Sequence, residues 1–312
     1  MMHTIHALQS FGYDVRLYVI YKKTQKPLKE LAEGVKFQGV SIEDAIDIAR
    51  DENARSFIGA ANVDTAKDQV MEMLPHCSAV VIHGAGWIDG EVLESAVQNN
   101  VRIGVVRKSL SSLLRKEYGV NSMYLPQIYN MYEGEAVIRD IHAVSISQIS
   151  WSKNSHMIIE ANKRLPEEIQ VRMYGNYSRK FDHFKLKNIQ ENWKELWWEG
   201  KFDSANGGAV KIASRAKFVI DLSIIKNDGG GTQYTFLEAF NGMSHLILHE
   251  SWLDFPGEVD ERCVIPVSNV DDLVRVLTDD GMYPTKLLRG WDIMEAHSPE
   301  RTLPYYKKFI GL

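Results

Sequence analysis

Phe218-Val-Ile-Asp-Leu-Ser-Ile-Ile-Lys-Asn-Asp-Gly-Gly-Gly-Thr-Gln-Tyr-Thr-Phe-Leu-Glu-Ala-Phe-Asn-Gly242 is the stretch that decides the reading of this chain. It begins as a buried strand, turns through three glycines, and continues as a short helix carrying one carboxylate, Glu238. Ser244-His-Leu-Ile-Leu-His-Glu250 follows as another short apolar strand. Gly229, Gly230 and Gly231 therefore stand just ahead of a helix N-terminus. Such an N-terminus offers backbone N–H groups and a partial positive charge, which suit a diphosphate. Glu238, two turns into the helix, is placed to reach a ribose beyond that diphosphate. A phosphate-and-ribose site in the second half of a chain points to an enzyme of nucleotide sugars.

Working outward, apolar runs and helical patterns alternate along the whole sequence, the signature of parallel sheets covered by helices. In the first half, strands are expected at 14–21, 35–40, 78–84 and 101–106. Helices are expected at 3–12, 41–53, 65–74, 90–99 and 109–118. The second half repeats the pattern, with strands at 143–149, 171–175, 218–222, 245–249 and 263–267. Its helices are expected at 154–165, 188–199, 232–240, 271–278 and 285–296. The expected fold class is α/β, two Rossmann-like domains facing a cleft, with ligands at the carboxyl ends of the strands. The polar stretch at Arg139-Asp-Ile-His142 marks the boundary. Residues 1–140 then form one domain, 141–298 the second, and 299–312 a tail returning to the first. The chain opens on a helix where this architecture usually opens on a strand and glycine loop. Either a first strand is missing or the N-terminal sheet is built differently.

Composition removes several classes. The 312 residues allow two domains, and 45% hydrophobic with 25% charged residues is a globular balance. No apolar run approaches a membrane span. The N-terminus lacks the basic and apolar regions of a signal peptide, and Cys77 and Cys263 lie far apart. Both point to a reducing, cytoplasmic setting without disulfides. A net charge of −5 argues against a broad nucleic-acid surface but leaves room for a local basic groove.

Ile146-Ser-Gln-Ile-Ser-Trp-Ser-Lys-Asn154 opens the second domain and delivers Lys153 beside the next helix. A lysine there contacts a diphosphate as a point charge, unless it is merely a solvated surface residue. Together with Ile158-Ile-Glu-Ala, Met173-Tyr-Gly-Asn and Phe236-Leu-Glu-Ala-Phe-Asn-Gly, this segment resembles the donor domain of retaining GT-B glycosyltransferases. These are glycosyl transferases of the group 1 kind. The resemblance covers roughly residues 141–280 well and residues 1–140 only in broad pattern.

The resemblance implies a nucleotide-diphosphate sugar as donor substrate, a UDP-sugar before others, and no required cofactor. The reaction it implies is hexosyl or pentosyl transfer to an acceptor hydroxyl with retention. In that family an Arg precedes the Lys and both hold the diphosphate; here Gln148 takes that place. The second Glu of the family's helix pair, which binds the ribose hydroxyls, matches Glu238, while the first falls on Gly230. Gly231, Thr232 and Gln233 would hold phosphate or sugar oxygens through their amides. The loop Tyr174, Gly175 and Asn176 would lie beside the base, or is a plain strand-to-loop turn. An epimerase of the same fold, or a degenerate nucleotide-sugar-binding module, is the alternative reading.

On the acceptor side, His83 ends a buried strand and is placed to polarise a hydroxyl, or is a hydrogen-bonded loop histidine. Gly84-Ala-Gly86 with Asp89 does not fit the dinucleotide fingerprint. No Asp-x-Asp pair stands at a strand end, so no metal is expected. Arg107, Lys108, Arg115 and Lys116 form one basic group, and Lys22, Lys23, Lys26 and Lys29 another. They either grip an anionic acceptor or form a mixed solvated surface. A loose likeness to the glucosyltransferases of hydroxymethylated phage DNA makes modified DNA one candidate acceptor, beside a phosphorylated glycan carrier. Trp193, Trp197 and Trp198 read as core packing rather than a sugar platform.

Overall fold

The structure is a computed structural model. It describes residues 2–20, 37–51, 54–59, 63–134, 137–177, 181, 190–202, 207–224, 229–255, 257–279 and 281–312. The chain divides into two compact units. One comprises Met1–Asn130, Lys226–Gly231 and His297–Leu312; the other comprises Met131–Ile225 and Thr232–Ala296.

In the first unit, β1 (Leu17–Ile20) and β2 (Phe37–Val40) form a parallel pair. The strands β3 (Phe57–Ile58), β4 (Ala79–Ile82), β5 (Arg102–Val105) and β6 (Met123–Tyr124) form a parallel sheet in that order. Period-2 geometry sends alternate β4 side chains to opposite faces, and both faces are covered. Val80 and Ile82 pack with Val92, Leu93 and Ala96 of helix Gly90–Gln98 and with Leu110 and Leu114 of helix Lys108–Tyr118. Ala79 and Val81 pack with Leu303, Phe309 and Ile310 of helix Pro299–Ile310. Local chemistry fixes the helix ends. The Ser41 hydroxyl accepts from the Asp44 N–H, Asp89 accepts from Glu91 and Val92, and Gly119 in the left-handed region ends helix Lys108–Tyr118.

The second unit is built on β7 (Ile141–Ile146), β8 (Val171–Tyr174), β9 (Trp198–Gly200), β10 (Ala216–Asp221), β11 (His245–His249) and β12 (Val264–Val267). All are parallel, in the order β12-β11-β10-β7-β8-β9. Numbered within the unit, that is the doubly wound order 3-2-1-4-5-6, which reverses between β7 and β10. One face packs on helices Ser155–Asn162 and Val270–Thr278. Asn162, fully buried, closes the start of β8 with its side chain: Nδ2 donates to Val171 O at 2.9 Å, and Oδ1 accepts from Val171 N at 2.8 Å.

Several elements escaped the sequence reading. The two-residue strands β3 and β6 are too short to show a period. The expected helix at 188–199 is described only as Trp193–Trp197, and Trp198 begins β9 instead. Trp193 and Trp197 are buried in the core, as read from the sequence. Helix Gly208–Ser214 is a further element not expected, and the tail from 299 is a helix, Pro299–Ile310, with Pro304 inside it. Among the described residues no helix is long and apolar enough to cross a membrane.

One buried side chain makes the fold sensitive to acid. His245, 1% exposed at the start of β11, lies against the Phe218 and Tyr283 rings. Neither ring nitrogen has a hydrogen-bond partner among the described residues. Burial first, and then the charges of Arg139, Lys217 and Lys286, push its pKa down to about 4. The unfolded chain therefore binds this proton more readily than the folded one between pH 6.5 and about 4. Stability is complete above that window and falls as pH drops through it. The loss from this one group is of the order of 3 kcal/mol. His3, pushed down to about 4 mainly by burial, adds in the same direction. Urea midpoints from pH 7.5 to 4 should fall, and His245→Phe should flatten the fall by about one group's share; an unchanged slope in that variant would refute the assignment.

Candidate functional site

The reversal of strand order in the second unit places the carboxyl ends of β7 and β10 side by side, where doubly wound sheets hold ligands. After β7 the chain runs through Ser147–Ser150 and a short turn, Trp151–Lys153. It then passes Asn154 in the left-handed region (φ 47°) into helix Ser155–Asn162. Two hydrogen bonds set this path. Ser150 N–H donates to Ser155 Oγ at 3.1 Å, and Asn154 Nδ2 donates to Leu222 O, just past β10, at 3.0 Å.

β10 ends in Asp221, whose carboxylate is fully buried. Its Oδ1 accepts from the Ser223 N–H at 3.0 Å and from the Ser223 hydroxyl. Its Oδ2 lies 3.5 Å from Lys153 Nζ. The ammonium also lies 3.4 Å from Gln233 Oε1. Lys153 keeps 25% of its side chain exposed. It is thus no free surface lysine: a buried carboxylate and a neutral amide bracket it, while part of it stays open to solvent. Gln233 stands at the N-cap position of helix Tyr234–Asn241, without a side-chain capping bond, and that helix carries half-buried Glu238 in its second turn. A fixed cation next to a helix N-terminus can take an anion, and Glu238 can accept from hydroxyl groups.

Gln148 is exposed. The loop at Tyr174, Gly175 and Asn176 runs alongside it. Ser147 N–H donates to Tyr174 O at 3.2 Å and Ile149 N–H to Asn176 O at 2.9 Å. Gly175 sits at φ +133°, where a Cβ would run into the Ser147 carbonyl oxygen. Its N–H donates to Gly200 O at 2.8 Å and its carbonyl accepts from Trp198 Nε1 at 2.9 Å. Burial raises the Tyr174 phenol above its usual range.

In the first unit, His83 follows β4, and its Nε2 lies 2.9 Å from Gly59 O. A carbonyl only accepts, so Nε2 carries the proton and Nδ1 the lone pair. Burial lowers the His83 pKa, the Gly59 bond opposes that, and the charge of Arg107 adds a smaller downward push. A neutral imidazole results, fixed in one tautomer.

The basic group of four is not one patch. Arg107 is 7% exposed, its Nη1 donating to Val106 O at 3.2 Å. Lys108 is exposed, 5.1 Å over the Tyr124 ring. Arg115 and Lys116 are exposed in the last turn of helix Lys108–Tyr118, about 12 Å of helix rise from Arg107. Lys116 pairs with Glu117 at 3.6 Å. Cations at a helix C-terminus favour the helix itself, which accounts for their place in the sequence. Lys22, Lys23, Lys26 and Lys29 lie outside the described residues. Gly229, Gly230, Gly231 and Thr232 are buried, and the helix begins at Tyr234, two residues later than expected.

Sequence reasoning missed Asp221 and Ser223. A signal was present: an acidic residue closing the apolar run Phe218-Val-Ile-Asp is costly to bury unless it has a partner.

Two Rossmann-type units, one with its polar residues gathered at the switch point, define the class: the fold is GT-B. An alpha-glucosyltransferase in complex with UDP superimposes with a TM-score of 0.70 over 100% of this chain and 95% of that one, at 12% identity. An alpha-glucosyltransferase in complex with UDP-glucose and DNA containing an abasic site gives 0.66 over 100% and 94%, at 13% identity. HepE from Anabaena in complex with UDP gives 0.65 over 89% and 87%, at 11% identity. At these identities the likeness is one of fold. No protein-family model and no curated protein sequence matches the chain.

Gly175→Ala should cost roughly 3 kcal/mol or more, since the backbone strain and the carbonyl collision add. Urea unfolding checks this, and a loss below about 1 kcal/mol would show that the loop relaxes.

Proposed function

We propose that this chain is a retaining glycosyltransferase that moves a sugar from a nucleoside diphosphate sugar, a UDP-sugar, to an acceptor hydroxyl. The observation that carries the reading is Lys153, held between Asp221 and Gln233 at the switch point of the second unit, beside the N-terminus of the helix that carries Glu238. In this reading that unit is the donor domain. Lys153 holds the diphosphate and stabilises the charge that grows on it as the glycosidic bond breaks. Glu238 accepts from the ribose hydroxyls. Amides of Gly231, Thr232 and Gln233 add donors, and the Tyr174–Asn176 loop serves the base. The first unit is the acceptor domain, where the neutral His83 offers Nδ1 to a hydroxyl.

For the acceptor, a hydroxymethylated base in DNA is the proposal. Solved alpha-glucosyltransferases of similar fold hold DNA, one of them a 13-mer containing an HMU base. Exposed Lys108, Arg115 and Lys116 supply cations to the same unit that carries His83. Each duplex phosphate contact should contribute about −0.9 to the log–log salt slope.

Glu238→Ala should weaken UDP binding by about 1.5–3 kcal/mol, as a lost charge-assisted hydrogen bond does. Lys153 also neutralises Asp221, so its removal alone mixes binding with stability. Lys153→Met combined with Asp221→Asn separates the two and should cut both UDP affinity and UDP-sugar hydrolysis. Calorimetry on both variants is the test: wild-type affinity in each would overturn the donor site. Transfer to a neutral glycan, with hydroxymethylated DNA untouched and unbound at any salt, would overturn the acceptor.

A further inference from the structure

Helix Lys108–Tyr118 has an unsuitable residue at its N-cap. Arg107 holds extended backbone there (φ −133°, ψ 133°), makes no side-chain cap and carries the charge that a helix N-terminus disfavours. The acceptor that a Ser, Asp or Asn would supply comes from far along the chain. Ser109 N–H donates to Gly229 O at 3.3 Å, and the Ser109 hydroxyl donates to the same oxygen at 2.8 Å, across 120 residues of sequence. The first glycine of the run Gly229–Gly231 is therefore held by the helix start of the first unit, to which that run belongs.

The next two glycines are shaped by this attachment. Gly230 turns the chain at φ +78°, a conformation that side chains with a Cβ rarely adopt. Gly231 passes so near the end of β5 that a Cβ would stand 2.8 Å from Val106 O and 3.3 Å from Arg107 Cδ. Thr232 is then 1% exposed, and Gln233 meets Lys153 before the helix of Glu238 begins. The amides offered to a diphosphate thus lie on a segment whose first residue is fixed by one serine.

We propose that Ser109 is a positioning residue for the donor: by clamping the Gly229 carbonyl it sets the path of Gly230–Gln233, and so the affinity for the nucleoside diphosphate. The inference rests on the donor reading given above. A segment that visits many conformations binds only through the competent fraction, so loss of the clamp raises the apparent dissociation constant in proportion. A lost hydrogen bond of ordinary strength corresponds to about five- to tenfold. No covalent step is involved.

The test uses the full chain with UDP as probe and UDP-glucose hydrolysis as turnover. Ser109→Ala should raise the dissociation constant for UDP and the KM for UDP-glucose by about five- to tenfold, with kcat within about twofold. Ser109→Thr, which keeps the hydroxyl, should restore both values. A merely structural role would instead lower kcat through the folded fraction and leave KM unchanged, and that result overturns the proposal. So does UDP affinity within about twofold of wild type in Ser109→Ala, or failure of Ser109→Thr to restore it. If the wild-type chain itself binds no UDP while Ser109→Ala is folded, the donor reading is wrong, and this inference falls with it for that separate reason.

Discussion

The buried carboxylate of Asp221 is the constraint on which the second unit's working end depends. A charge with no exposed surface must be met by donors, and here they are few and specific: the amide and hydroxyl of Ser223 on one oxygen and the ammonium of Lys153 on the other. Those bonds tie the exit of β10 to the exit of β7, and the Asn154–Leu222 bond repeats the tie. Trp252 Nε1 donates to Ser223 O at 3.0 Å, so the loop after β10 is held from the far side as well. The lysine is thereby fixed at the reversal point of the sheet, with its donors still partly open to solvent. A surface lysine at the same position would keep its rotamer freedom; this one has lost much of it.

Much of this was legible in the sequence, and the reason is the strength of the periodic signal. Buried parallel strands such as Phe218–Asp221 and His245–His249 are short apolar runs between glycines and polar turns, and they stand where expected. Lys153 and Glu238 stand out in the sequence because each sits at a fixed offset from such a strand or its glycine turn. What stayed hidden depends on contacts between distant residues. That Arg107 is buried, that Ser109 meets Gly229, and that Lys153 is shared between Asp221 and Gln233 are facts of tertiary packing without a local pattern. The spread of the basic group at 107–116 is a fact of the same kind. Charges close in sequence were read as close in space, whereas the helix carries them to opposite ends.

His83 and Lys153 show two ways of fixing a polar side chain at the end of a strand. The imidazole is held by one carbonyl, which decides its tautomer and leaves one lone pair for use. The ammonium is held by a full negative charge and an amide. The first arrangement is neutral, so burial costs it little. The second needs its counter-charge, and the loop that supplies it cannot be altered without consequence for the lysine.

Helix Pro299–Ile310 fills the face of the first sheet with Leu303, Phe309 and Ile310, against Ala79, Val81 and Leu125. During synthesis that face of β4 and β5 emerges from the ribosome more than half a chain before its cover has been made. The second unit, by contrast, takes all its residues from Met131–Ile225 and Thr232–Ala296. The residues of the second unit are therefore all made before the first unit's core can be completed, although in vectorial synthesis the N-terminal part is generally the first to fold. Until then that face has Ala7 and Leu8 of helix Met2–Ser10, with Leu125 and Ile128, to pack against it.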